Sequence, residues 1–144
     1  MKRVLAIAVV LSLALVGTVM AQAPMAKMAI TSEADYSAVM KEVGSTNGLL
    51  GKAITSAAAA DAAKASARLE VLFKDVQAYW TMKKVDDATA AATNAVAAAG
   101  AVSKAVAAND MTAAGDARTK LASQCMACHT AHREKLPEGG FKMK

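Results

Sequence analysis

The chain is poor in what a sheet, a disulfide scaffold or a nucleic-acid groove is built from. Its 144 residues include two prolines, two cysteines, one Trp, two Tyr and two Phe. No segment shows the strict apolar–polar alternation of a half-buried strand. Two cysteines cannot supply the several bridges that staple a small secreted fold. The cationic excess is mild, 17 Lys and Arg against 12 Asp and Glu, and forms no dense basic stripe interleaved with aromatics. A nucleic-acid surface is therefore not expected. No acid–base pair stands out either, so an enzyme is not expected.

Long apolar runs are equally scarce. The one such run, Val4 to Met20, follows Lys2 and Arg3 and leads into Val19-Met20-Ala21 and Ala21-Gln22-Ala23. That is the layout of a signal peptide over residues 1–21, cut after Ala21 or Ala23. Cleavage after Ala21 is favoured, because the other cut leaves Pro24 at the first mature position. The run is short for a span of about 20 residues, so a retained membrane anchor is the alternative. Either way the folded part is exported, and a periplasmic location is expected. Without Lys2 and Arg3 the formal charge falls from +5 to +3, fifteen cationic against twelve anionic side chains. Residues 22–31 read as a linker, 32–136 as one domain and 137–144 as a flexible tail.

Residues 33–135 contain no proline and are rich in Ala, Leu, Lys and Glu, which favours helix. Apolar residues recur there at spacings of three and four, in four stretches. The first runs Tyr36, Met40, Val43, Asn47, Leu50, Ile54, with Ser32 as N-cap and Asp35 completing a capping box. Thr55-Ser56 offers a break and a second N-cap. The second runs Ala62, Ala65, Leu69, Leu72, Val76, Tyr79, with Phe73 and Trp80 beside it. Lys83 and Lys84 suit its end, and Asp86 or Asp87 the next start. The third is Val85, Ala88, Ala92, Ala95, Ala99, Val102, Val106, closed by Asn109-Asp110. The fourth runs Ala114, Arg118, Leu121, Cys125, Cys128, His132 and ends at Pro137. The expected fold is all-α: an antiparallel up-down-up-down four-helix bundle.

What the chain does have is Cys125-Met126-Ala127-Cys128-His129, the C-x-x-C-H pattern of c-type haem attachment. In that chemistry each thiol adds to a haem vinyl group to form a thioether, and the adjacent imidazole binds iron. On a helix these three residues share one face, so they can address a single flat macrocycle. Rival readings are a structural disulfide, chance spacing, a zinc site and a thioredoxin-like motif. Zinc motifs usually separate their Cys and His pairs more widely, and no β-α-β pattern surrounds the cysteines. A buried porphyrin would also supply the apolar bulk that an alanine-rich core lacks.

A helical bundle carrying C-x-x-C-H near its C-terminus resembles the cytochrome c′ family, the class II cytochromes c. The resemblance covers residues 33–136. It is strongest over Cys-Met-Ala-Cys-His-Thr-Ala-His-Arg at 125–133, similar to the family's C-x-x-C-H-x-x-(Tyr/Phe)-Arg. Val39-Met40-Lys41-Glu42-Val43-Gly44 looks like the Met-Lys-x-x-Gly of the low-spin branch. The resemblance implies covalent haem c on Cys125 and Cys128, His129 as proximal iron ligand and Met40 as the distal one. It implies Arg133 near the haem periphery. His132 departs from the family's usual aromatic ring and sits where it could approach a haem edge or propionate. Gly44 and Gly48 follow Met40 at one and two turns, where backbone could lie close to a flat ligand.

The function implied is mono-haem electron transfer with redox proteins as partners. The alternative is a high-spin protein binding nitric oxide or carbon monoxide at an open iron face, with Met40 as plain pocket filling. A haemless rival is an exported helical interaction module with a Cys125–Cys128 disulfide. A homodimer through the first two helices is common in the family. Lys120, Lys135, Lys142, Lys144 and Arg118 make the last helix and tail basic, either a solvated face or a rim for an acidic partner.

Overall fold

A computed structural model describes residues 27–144. The signal segment and both of its cleavage points lie outside the described residues. Four helices dominate: α1 (Glu33–Thr55), α2 (Ala59–Lys83), α3 (Asp86–Ala107) and α4 (Met111–His132). Among the described residues no helix is long and apolar enough to cross a membrane.

Helix α1 starts where its capping box requires. The Asp35 amide donates to Ser32 Oγ at 3.1 Å, and the Asp35 carboxylate accepts from the Ser32 amide at 3.0 Å. Hydrogen bonds from Thr31 and Ser32 hold that carboxyl below its ordinary range. A depressed carboxylate contributes stability above its unfolded range and loses it as the pH falls through it. Ser32→Ala is expected to cost about 1 kcal/mol, read as a lower denaturation midpoint.

The three connections between helices share one design. Ala57, Lys84 and Asn109 hold left-handed φ values of 53°, 59° and 57°. The following amides of Ala58, Val85 and Asp110 reach back to the carbonyls of Ala53, Trp80 and Ala105. This is a Schellman closure made three times without glycine. Two expected caps differ. Ser56 ends α1 rather than starting α2, whose N-cap is Ala58 with no side-chain bond. Val85 precedes α3, and Asp86 and Asp87 sit inside its first turn, facing the positive helix end. Asp110 does cap α4, accepting from the Ala113 amide at 2.9 Å.

The C-terminal end overturns an expectation. Helix α4 stops at His132, not at Pro137, and residues 133–135 and 141–143 pair where a frayed tail was expected. Strands β1 (Arg133–Lys135) and β2 (Phe141–Met143) form an antiparallel hairpin with Glu134 opposite Lys142. The turn between them contains Pro137, and it needs Gly139 and Gly140, whose φ values are +95° and +80°. Tyr79 Oη donates to Met143 Sδ at 3.9 Å, and the Lys144 amide bonds the His132 carbonyl, which ties the hairpin to the bundle. The linker is also tied at its end. Ile30 is buried, and the Met28 amide donates to buried Asp75 Oδ2 at 2.8 Å.

Each helix packs on its neighbour in sequence, and α1 also meets α4. Arg68 donates to Glu42 at 2.6 Å, Ser103 to Ser66 at 3.1 Å, Asn94 to Gln124 at 3.3 Å and Arg118 to Asn47 at 3.0 Å. The core follows the expected stripes, with Leu50, Leu69, Leu72 and Leu121 among its largest fully buried side chains. Helix α3 buries only alanine and valine. Small side chains there let α2 and α4 each pack close against α3, and the same smallness leaves space beside α4.

Candidate haem-attachment site

That space is a cleft walled by all four helices. Tyr36 and Met40 come from α1, Phe73 and Val76 from α2, Ala91, Ala92 and Ala95 from α3, and Gln124, Cys125, Cys128 and His129 from α4. The α4 group arises from helical spacing alone: positions 125, 128 and 129 fall on one face. Met40 arises from tertiary packing, which brings the middle of α1 against the last turns of α4. Its side chain is half-buried, as are those of Cys125, Cys128 and His129.

Both cysteines are free thiols. Burial pushes both thiols up, Cys128 further through the nearby charges of Asp87 and Cys125. Burial, with the Arg133 charge second, pulls His129 down. Its neutral imidazole, the form that binds metals, is therefore favoured. Among the described residues no three His, Cys, Asp or Glu side chains converge on a metal-ion position. A porphyrin brings four donors of its own, so iron held this way asks the chain only for axial ligands.

The donor set fits haem c: two thiols for thioether bonds, an imidazole beside them and a thioether sulfur on another wall. The remaining walls are mostly Ala, Val and Phe, as an apolar macrocycle requires. The cleft measures about 350 Å3 including its open mouth, but the cavity within it is only about 30 Å3. Seating a macrocycle therefore requires the walls to separate. Of the adjoining helix pairs, α1 and α4 touch most sparingly, so that seam is the one to open.

Two residues expected at the periphery of the site lie outside the cleft. His132 Nε2 pairs with Asp87 Oδ2 at 2.8 Å, and its ring lies 5.2 Å from that of Trp80. Arg133 is exposed with its guanidinium 3.9 Å from the Phe141 ring, while its charge reaches His129. A Cβ at Gly44 or Gly48 would meet nothing within 4 Å, so neither glycine is required by a protein contact. At Gly51, by contrast, a Cβ would stand 2.9 Å from the Arg118 guanidinium, which would have to shift to admit it.

Tyr36, expected as core or as packing against a haem, is buried and lines the cleft. Its hydroxyl accepts from Trp80 Nε1 at 3.1 Å, and its ring packs on Tyr79 and Trp80 at 5.0 and 5.6 Å. Burial pushes its pKa up to about 12, against a smaller opposing effect of the Trp80 hydrogen bond. The i, i+4 relation to Met40 was the available signal. No family model, curated protein or solved structure matches the chain.

Proposed function

We propose that the chain is a periplasmic mono-haem cytochrome of the c′ type, an electron carrier rather than an enzyme. One observation carries this reading: Met40 lines the same cleft as Cys125, Cys128 and His129, although most of the chain separates them. The fold proposed with it is an up-down-up-down bundle. Its support is that Tyr36 near the start of α1 meets Trp80 near the end of α2, while Asp87 at the start of α3 meets His132 at the end of α4.

Cys125 and Cys128 would hold the cofactor through two thioether bonds, and the His129 imidazole and the Met40 thioether would ligate its iron. Haem c, when bound, supplies an iron that cycles between ferrous and ferric states, with thioether ligation favouring the ferrous one. The protein moves no proton and forms no substrate bond. With His129 and Met40 both serving as iron ligands, the chain would need little rearrangement when an electron arrives or leaves. Apolar walls exclude water and lower the local dielectric. Partners are redox proteins, and a second copy of the chain is a further candidate. The export signal lies outside the described residues, and the periplasmic assignment rests on the sequence alone.

The test is the visible spectrum of protein matured in the periplasm, for wild type and Met40→Ala. Low-spin bands with a far-red sulfur-to-iron charge-transfer feature are expected in oxidised wild type, and Met40→Ala is expected to abolish that feature. High-spin bands indifferent to the substitution, with ready carbon monoxide binding, replace the carrier by the gas-binding alternative. Absence of covalent haem overturns both.

A further inference from the structure

At one end of the cleft, one residue from each helix joins a continuous string. Tyr36 from α1 accepts from Trp80 of α2, Trp80 stacks on His132 of α4, and His132 pairs with Asp87 of α3. The string fixes Trp80, and Trp80 fixes the Tyr36 oxygen. Because Nε1 donates to that oxygen, it takes one lone pair, and the phenolic proton must point elsewhere. Among the described residues no acceptor for that proton is recorded, although Tyr36 is only 8% exposed. A buried hydroxyl normally donates as well as accepts.

Tyr36 also lines the cleft, and it stands one helical turn before Met40 on the same face of α1. Its oxygen therefore lies toward the Trp80 end of the cleft, away from the level of the sulfur. A group held by Cys125 and Cys128 would meet the hydroxyl at its rim rather than at its metal. The rim of a haem carries two carboxylates. We infer that Tyr36 is a positioning residue whose hydroxyl donates to a carboxylate of the macrocycle, with Trp80 aiming the proton. This inference rests on the haem reading proposed above.

The donor offsets part of the carboxylate's negative charge near the iron. Its loss leaves that charge uncompensated and favours the ferric state. Tyr36→Phe holoprotein is expected to shift the redox equilibrium about two- to fivefold toward the oxidised form, a potential lower by about 18–41 mV at 59 mV per tenfold. Trp80→Phe keeps the hydroxyl but not its aim, and a smaller shift of the same sign is expected. Tyr79→Phe removes a neighbouring hydroxyl that bonds Met143 and does not line the cleft, so it is expected to leave the potential unchanged.

A merely structural Tyr36 would lower the thermal midpoint, since Trp80 Nε1 loses its acceptor, and leave the potential alone. That result overturns the inference while haem attachment stands. If Tyr36→Phe does not accumulate as holoprotein, the Trp80→Phe potential decides: lowered supports the inference, unchanged overturns it. Wild-type protein without covalent haem by intact mass overturns the haem reading itself and this inference with it.

Discussion

Replacing both thiols, Cys125→Ala with Cys128→Ala, is expected to remove covalent haem completely: the intact mass should equal that of the polypeptide alone. The two sulfurs are the only ones on the chain able to form these bonds, because the sequence has no other cysteine. Each single variant is expected to keep one bond and give a lower holoprotein yield. The thiolate, not the thiol, is the nucleophile, and burial raises both thiols above their ordinary range. Attachment in the closed helical state is therefore disfavoured. It is expected to occur before α1 closes on α4, or with help from maturation machinery. Wild-type protein whose mass is lower by the two thiol hydrogens, with no haem, would identify a Cys125–Cys128 disulfide and end the cytochrome reading.

The legible parts of the molecule are those written in local spacing. The stripes of α2 and α3 are buried almost residue for residue, and Ser32 and Asp110 cap as their side chains dictate. That Cys125, Cys128 and His129 share one face was legible for the same reason, since a helix needs only three and four residues to bring them together. What escaped was either conformational or tertiary. Ala57, Lys84 and Asn109 enter the left-handed region, at a cost of roughly 1–2 kcal/mol each, in closures that usually announce themselves with glycine. The hairpin was hidden because Arg-Glu-Lys and Phe-Lys-Met are too short to show alternation, although Leu-Pro-Glu-Gly-Gly between them is a turn signature.

In the site, the cysteines and His129 needed no partner to be recognised, whereas Tyr36 acquires its role only where α2 delivers Trp80. His132 belongs to the same class. Its position three residues after His129 suggested a haem edge or propionate, and the spacing could not show that Asp87 on α3 pairs with it beside Trp80. Asp75 shows the limit most plainly. Nothing in its neighbours along α2 marks it for burial, and the residue that bonds it, Met28, precedes the first helix.

The second large effect concerns how little bulk the core contains. Leu72 is fully buried on α2, beside Phe73 on the cleft wall. Leu72→Ala is expected to cost about 2–5 kcal/mol, the transfer of the lost methyls plus the cavity they leave. Against a total of about 5–15 kcal/mol for an ordinary domain, that is a large fraction. Here α3 contributes only alanine and valine to the core, so few large neighbours can move in to collapse the cavity. Leu49→Ala, at a side chain 61% exposed, is expected to stay within about 0.5 kcal/mol and serves as the control. Denaturant unfolding of haem-free and haem-bearing protein separates two sources of stability. If the cofactor supplies apolar bulk the chain lacks, Leu72→Ala unfolds the haem-free form at low denaturant while the haem-bearing form keeps a cooperative transition. Equal midpoints for the two wild-type forms would mean that the alanine-rich helices pack sufficiently by themselves, and that the cleft owes its space to function rather than to a missing part of the core.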